Sequence, residues 1–210
     1  MKIIEPSFKI MNAMSRGAAL SLLEEIGRVC YKSEDKKTDD SAGPFIRRII
    51  KQGHESVIEH VSATVKIVCD RGISHEIVRH RIASYSQEST RYCNYSNGKF
   101  GKELTFVKPC MFKYPSECYT RWLTSCQDAE DYYMALIHYG ASPQEARSVL
   151  PNSLKTEIVV TMNLREWRHF FKLRTAKAAH PQMREIACMM LQWFKEWLPE
   201  VFEDIIPEAA

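Results

Sequence analysis

The segment SLKTEIVVTMNLREWRHFFKLRT, residues 153–175, changes its apolar period part-way along. In SLKTEIVVTMN (153–163) apolar and polar side chains alternate and β-branched residues are frequent, the pattern of a strand with one face buried. From Asn163 the period lengthens to that of a helix running to about Thr175. Trp167, Phe170, Phe171 and Leu173 are its apolar members, and Arg165, Arg168, Lys172 and Arg174 its polar ones. Val61, Ala63, Val65, Ile67 and Cys69 repeat the alternation, so 61–69 is the expected partner of 153–163. Pro181 to Trp197 is strongly apolar along Ile186, Met190, Phe194 and Trp197 and is expected to be the core helix. The fold class is α+β: antiparallel strands covered by long helices.

The remaining elements follow from punctuation. Residues 2–11 suggest an edge strand, and Ser15 is placed to cap a helix over 16–32. Ser41 and Pro44 start a second helix that ends near Gly53. Arg71 to His80 reads as a short helix carrying Arg79, His80 and Arg81 at its C-terminal end, followed by a polar loop. ELTFV (103–107) is expected to be a short strand, and Pro115 to Tyr139 a long helix with an aromatic stripe suited to core or subunit interface. At 210 residues the chain can bury a core as one domain, taken as 1–210.

Composition narrows the function classes. The net charge of +3 does not indicate a general nucleic-acid coat. No run of about 18 apolar residues predicts a membrane span, and MKIIEPSFKIM has no long apolar core of a secretory signal, so a cytoplasmic protein is expected. The seven cysteines form no C-x2-C pair, and their odd number fits poorly with a closed disulfide framework; they read as reduced, packing residues.

RHRIASYSQESTRY (79–92) interleaves three Arg and a His with small hydrogen-bonding groups. Arg grips phosphate or carboxylate oxygens two at a time, so the stretch reads either as a site for an anionic, hydrogen-bond-rich ligand such as a nucleotide, or as a basic helix end followed by a polar loop. HESVIEH (54–60) holds two His and two Glu, but its i, i+6 histidines do not share a helix face and no HExxH order is present, so no metal site is expected.

Arg79-His80-Arg81, seven residues, then Ser89 is similar to the RHR-x7-S signature of the flavin-dependent thymidylate synthases, and Ser84, Arg91 and Tyr92 fit its longer form. HESVIEH, ARSVLP (146–151) and TMNLREWRHFFKLR (161–174) resemble the same family in the same order, so the resemblance covers nearly the whole chain. It implies reductive methylation of dUMP to dTMP, with methylenetetrahydrofolate supplying the carbon, NADPH the reducing equivalents and FAD the hydride, and with no obligatory cysteine nucleophile. It implies FAD contacts at His54, Ser56, Arg79, His80, Arg81, Gln87, Asn163, Arg165 and His169. It implies dUMP contacts at Glu76, Arg79, Gln87, Glu88, Ser89, Arg91, Arg147 and Arg174, with Arg174 and Ser89 catalytic. It also implies a homotetramer with shared active sites. Some relatives carry Gln at position 76, Glu at 87, Asn at 169 and Ser at 30, where this chain has Glu76, Gln87, His169 and Cys30. Two other classes stay open from the residues alone. One is a nucleic-acid-binding domain using Tyr85, Tyr92 and Tyr95 for stacking, and the other a transferase with a cysteine nucleophile.

Overall fold

In the computed structural model, which describes residues 1–208, the strand before Asn163 gives way to a helix at Leu164. Asn163 is extended (φ −72°, ψ 167°), and its side-chain oxygen accepts the Glu166 amide at 2.9 Å. That bond satisfies one of the amides a helix start leaves open, which is why the period changes at this residue.

In chain order, β1 (Lys2–Ile4) and β2 (Ser7–Ala13) replace the single edge strand expected over 2–11. Pro6 lies between them and has no N–H to give a ladder. α1 (Arg16–Tyr31) opens on Ser15, whose hydroxyl accepts the Ala18 amide, as expected. α2 (Ala42–Lys51) turns Phe45, Ile46, Ile49 and Ile50 inward and is followed by Gly53 at φ +75°, a conformation that favours glycine. After a 3-10 turn over Glu55–His60 comes β3 (Ser62–Asp70), whose terminal carboxylate caps α3 (Arg71–Ile77) by accepting the Ile73 amide at 2.7 Å. α3 ends earlier than expected, so Arg79, His80 and Arg81 lie beyond it rather than in its last turn. β4 (Ser84–Gln87) lies where a polar loop was expected. Then follow β5 (Thr105–Val107), α4 (Glu117–His138), α5 (Pro143–Ala146), β6 (Lys155–Asn163), α6 (Leu164–Arg174), α7 (Pro181–Trp197) and α8 (Pro199–Phe202).

The strands form a four-stranded sheet of order β2-β3-β6-β4 and a two-stranded sheet in which β1 pairs with β5 in parallel, Ile3 opposite Phe106. Thr64 and Thr161 hydroxyls meet at 2.9 Å, and the Leu164 amide donates to the Val61 carbonyl at 2.9 Å. Numbers thus fall on one strand as they rise on the other, the antiparallel sense expected of 61–69 and 153–163. No helix among the described residues is long and apolar enough to cross a membrane.

The chain divides into two compact units. Unit 1 comprises Met1–Phe8, Ile67–Arg79 and Tyr85–Val159. Its core gathers Tyr95, Leu104, Phe106, Cys126, Tyr133, Ala146 and Leu154. The buried Glu130 carboxylate accepts the Leu104 amide at 2.7 Å and pairs with the N-terminal ammonium at 2.9 Å. Unit 2 comprises Lys9–Lys66, His80–Ser84 and Val160–Ala210. Here the fully buried rings of Trp167, Phe170, Phe171, Phe194 and Phe202 pack α6 against α7 and α8 at centroid separations of 5.0–6.0 Å. Each such pair adds about 0.5–1.5 kcal/mol to the area it buries. The Trp167 indole N–H is not left unpaired; it donates to the Ala63 carbonyl at 3.1 Å. α6 is therefore held rigidly on its apolar side while its polar side is free to carry function.

Candidate active site

That polar side forms one wall of a cleft of about 750 Å³ within unit 2, lined by Asn163, Arg165, Glu166, His169, Lys172 and Leu173 of α6 and its cap. Glu55, Glu59 and Ile82 complete the lining. A hollow of about 310 Å³ shares Glu55 and Arg165 with it and adds Cys30, Gly53, His54, Ser56 and Val57. Ile82 is 67% exposed and Leu173 49%, so an apolar pair stands bare among cationic and amide groups. A ligand with a flat apolar part and an anionic part suits such a surface. Arg165, exposed, donates to Glu59 at 2.5 Å.

His80 is buried and its two nitrogens have different neighbours. Nε2 receives the Arg174 Nε–H at 3.2 Å, and Nδ1 lies 3.0 Å from Glu166 Oε1. The His169 ring stands edge-on at 5.4 Å and the Phe170 ring at 5.0 Å. Burial lowers the His80 pKa, Glu166 works against that lowering, and the charge of Arg174 adds to it; the net direction is down. His80, Glu166 and His169 also bring three possible ligand atoms within 4.8 Å of one another. Both ring nitrogens of His80 are engaged in hydrogen bonds within the chain.

One turn before Phe171, Arg168 is 1% exposed and points the other way. It donates to Glu55 at 3.0 Å, to both Asp204 oxygens at 2.6 and 2.8 Å, and to the Val201 carbonyl. It anchors the C-terminal segment to α6.

The residues expected to meet the nucleotide fall into unit 1, apart from Arg174. Ser89 and Thr90 head the turn after β4. Ser89 Oγ accepts the Arg91 amide at 3.3 Å, and Arg147 reaches Thr90 Oγ1 at 3.5 Å. Arg79, Arg91 and Arg147 are exposed, and Glu76 is half-buried. Gln87 donates its amide to Ser74 and Thr156, and Glu88 accepts from the Tyr95 hydroxyl at 2.9 Å and from Lys155 at 2.8 Å, so both are fixed in place. Of the residues assigned to FAD, His54, Ser56, Asn163, Arg165 and His169 line the unit 2 hollows and His80 lies beside His169. Arg81 is exposed outside both linings, and Arg79 and Gln87 belong to unit 1. Sequence reasoning passed over Glu166, Glu55, Ile82 and Lys172. The first could have been found as the acid three residues after Asn163, at the position where a helix start is closed.

Burial raises the Cys126 thiol to about 12 and also pushes Cys69 and Cys188 up, which makes those three poor thiolates.

A family model described as thymidylate synthase complementing protein matches residues 11–200. The chain is 38% identical over 173 residues to a flavin-dependent thymidylate synthase of Pyrococcus furiosus, covering 82% of this chain and 70% of that one. The chain belongs to the flavin-dependent thymidylate synthases. Another member, from Thermococcus onnurineus, is 41% identical over 192 residues, 91% of this chain and 76% of its own. One from Geobacter sulfurreducens is 37% identical over 187 residues, 86% and 79%. Like them, the protein is a methyltransferase and a flavoprotein. A UMP/dUMP methylase from Streptomyces cacaoi, solved with 5-Br dUMP, shares the fold at a TM-score of 0.78 and 22% identity, over 97% of this chain and 96% of that one.

Proposed function

We propose that this flavin-dependent thymidylate synthase converts dUMP to dTMP with FAD as its flavin, methylenetetrahydrofolate as carbon donor and NADPH as reductant, residues 1–210 acting as one domain. The observation that carries the reading is the cleft beside α6, where Ile82 and Leu173 are bare between Asn163, Arg165 and His169. That donor set fits FAD: apolar side chains for a flat ring system, cationic and imidazole groups for a dinucleotide tail. His54 and Ser56 extend it in the adjoining hollow, with Arg79, His80, Arg81 and Gln87 as the further FAD residues. When bound and reduced, the flavin supplies the hydride.

The chain's own residues bind, orient and polarise. Arg79, Arg91 and Arg147 suit the phosphate of dUMP, and Glu76, Gln87, Glu88 and Ser89 its neutral polar groups. Arg174 stabilises negative charge on the pyrimidine as C5 becomes nucleophilic, which needs no covalent bond to the protein. The raised thiols of Cys69, Cys126 and Cys188 support a route without a cysteine nucleophile. The working assembly is a cytoplasmic homotetramer with shared sites; Tyr132 of α4 and Tyr139 just beyond it are exposed large aromatics that suit a subunit interface. Titration of the purified chain with FAD tests the reading. Saturation near one FAD per chain, with dTMP formed only when FAD, NADPH and methylenetetrahydrofolate are all present, is the expected result. Absence of flavin binding at high micromolar FAD would overturn it.

A further inference from the structure

The bonds around His80 fix its tautomer. A guanidinium nitrogen can only donate, so the 3.2 Å contact from Arg174 Nε makes His80 Nε2 an acceptor. The proton of the neutral ring then sits on Nδ1 and is donated to Glu166 Oε1 at 3.0 Å. A second proton on Nε2 would face the Arg174 N–H directly. Burial opposes the charged ring as well, and of the titratable neighbours Arg174 and His169 oppose it while Glu166 favours it. The buried imidazole is neutral, with Glu166 at Nδ1 and Arg174 at Nε2.

Glu166 is itself held in place. Its amide is fixed by the Asn163 side chain at the helix start, and the residue is nine-tenths buried. Arg174 is the last residue of α6 and only half-buried, and its long side chain has many rotamers. We propose that Glu166 is a positioning residue that, by locking the tautomer of His80, holds the Arg174 guanidinium ready for the pyrimidine. This rests on the reading that Arg174 acts on the ring. An acid at the third helical position is also favoured by the helix dipole, but that role needs neither a buried imidazole on one side nor a guanidinium beyond it.

Two measurements test the relay. In the cofactor-free full chain, 15N NMR of the His80 ring, assigned by its loss in His80→Gln, should show protonated Nδ1 and bare Nε2 at pH 7. An Nε2–H tautomer or an imidazolium would overturn the proposal, whatever the enzyme's activity. In the FAD-loaded enzyme, Glu166→Ala, which removes the acceptor facing His80 Nδ1, should cost about 10-fold in kcat, the scale of a modest misplacement of a catalytic group. In the Arg174→Ala background the same change should cost less than about twofold, because the coupled pair is already broken. Equal losses in the two backgrounds would leave Glu166 only its helix-start role. A wild-type enzyme that made no dTMP would instead refute the proposed function, while the tautomer would still decide the relay.

Discussion

Replacing Arg168 with Met should destabilise unit 2 by about 3 kcal/mol, the lower end of the cost of breaking a buried ion pair. Met keeps much of the side-chain volume, so the change isolates the guanidinium. Arg168 supplies hydrogen bonds to Glu55, to both oxygens of Asp204 and to the Val201 carbonyl. Glu55 retains Lys172 at 3.4 Å, and the Asp204 side chain is 49% exposed and can return to water. These two routes of relief place the cost low in the range. Urea unfolding at fixed protein concentration, with FAD absent, is the assay, and a midpoint lowered by about 1 M is expected for a slope near 3 kcal/mol/M. Acidity adds a second readout. Burial alone would raise the Asp204 carboxyl, but the Arg168 hydrogen bond and charge outweigh it and hold the pKa below the usual range. A depressed carboxyl stabilises the fold above its unfolded pKa of about 3.9 and loses that contribution as pH falls through the folded value. The gap between wild type and variant should therefore narrow below about pH 4. A midpoint within about 0.2 M of wild type at pH 7 would refute this account of the anchor.

Further outcomes follow from the cleft and the relay. Arg174→Ala should retain fold and flavin but lose at least about 10²-fold in methylation, and Arg174→Lys should recover little because a point charge does not reproduce the planar fork. Arg165→Ala should weaken FAD binding by about 10-fold or more, as loss of one charge-assisted contact implies, with little change in thermal midpoint because the side chain is exposed. Single Cys→Ser variants should each leave measurable turnover. Abolished turnover in one folded, flavin-loaded variant would restore the cysteine-nucleophile route.

Much of the fold was legible where one local rule acted alone. The change of period at Asn163, the Ser15 cap and the Gly53 stop each coincide with a boundary in the structure. β4 was not legible, because Ser84, Tyr85, Ser86 and Gln87 carry no strong strand pattern and are ordered by pairing with β6. The end of α3 was misjudged because nothing in Val78-Arg79-His80 marks a stop. In the site, the motif blocks named Asn163, Arg165 and His169 of the cleft and His54 and Ser56 of the adjoining hollow, and no other lining residue of the cleft. Glu166 carried one local signal, an acid three residues after Asn163, while its contact with His80, far away in sequence, carried none. Ile82 and Leu173 were hidden because an apolar residue reveals itself as a seat only when it is seen to be bare.

The folate product tests the central claim most directly. If the hydride comes from reduced flavin and the folate gives only its carbon, each dTMP is accompanied by tetrahydrofolate. Single-turnover reaction of the FAD-reduced enzyme with dUMP and methylenetetrahydrofolate, followed by chromatographic separation of the folates, should yield tetrahydrofolate and reoxidised flavin in proportion to dTMP. Dihydrofolate in proportion to dTMP, with the flavin still reduced, would contradict the account.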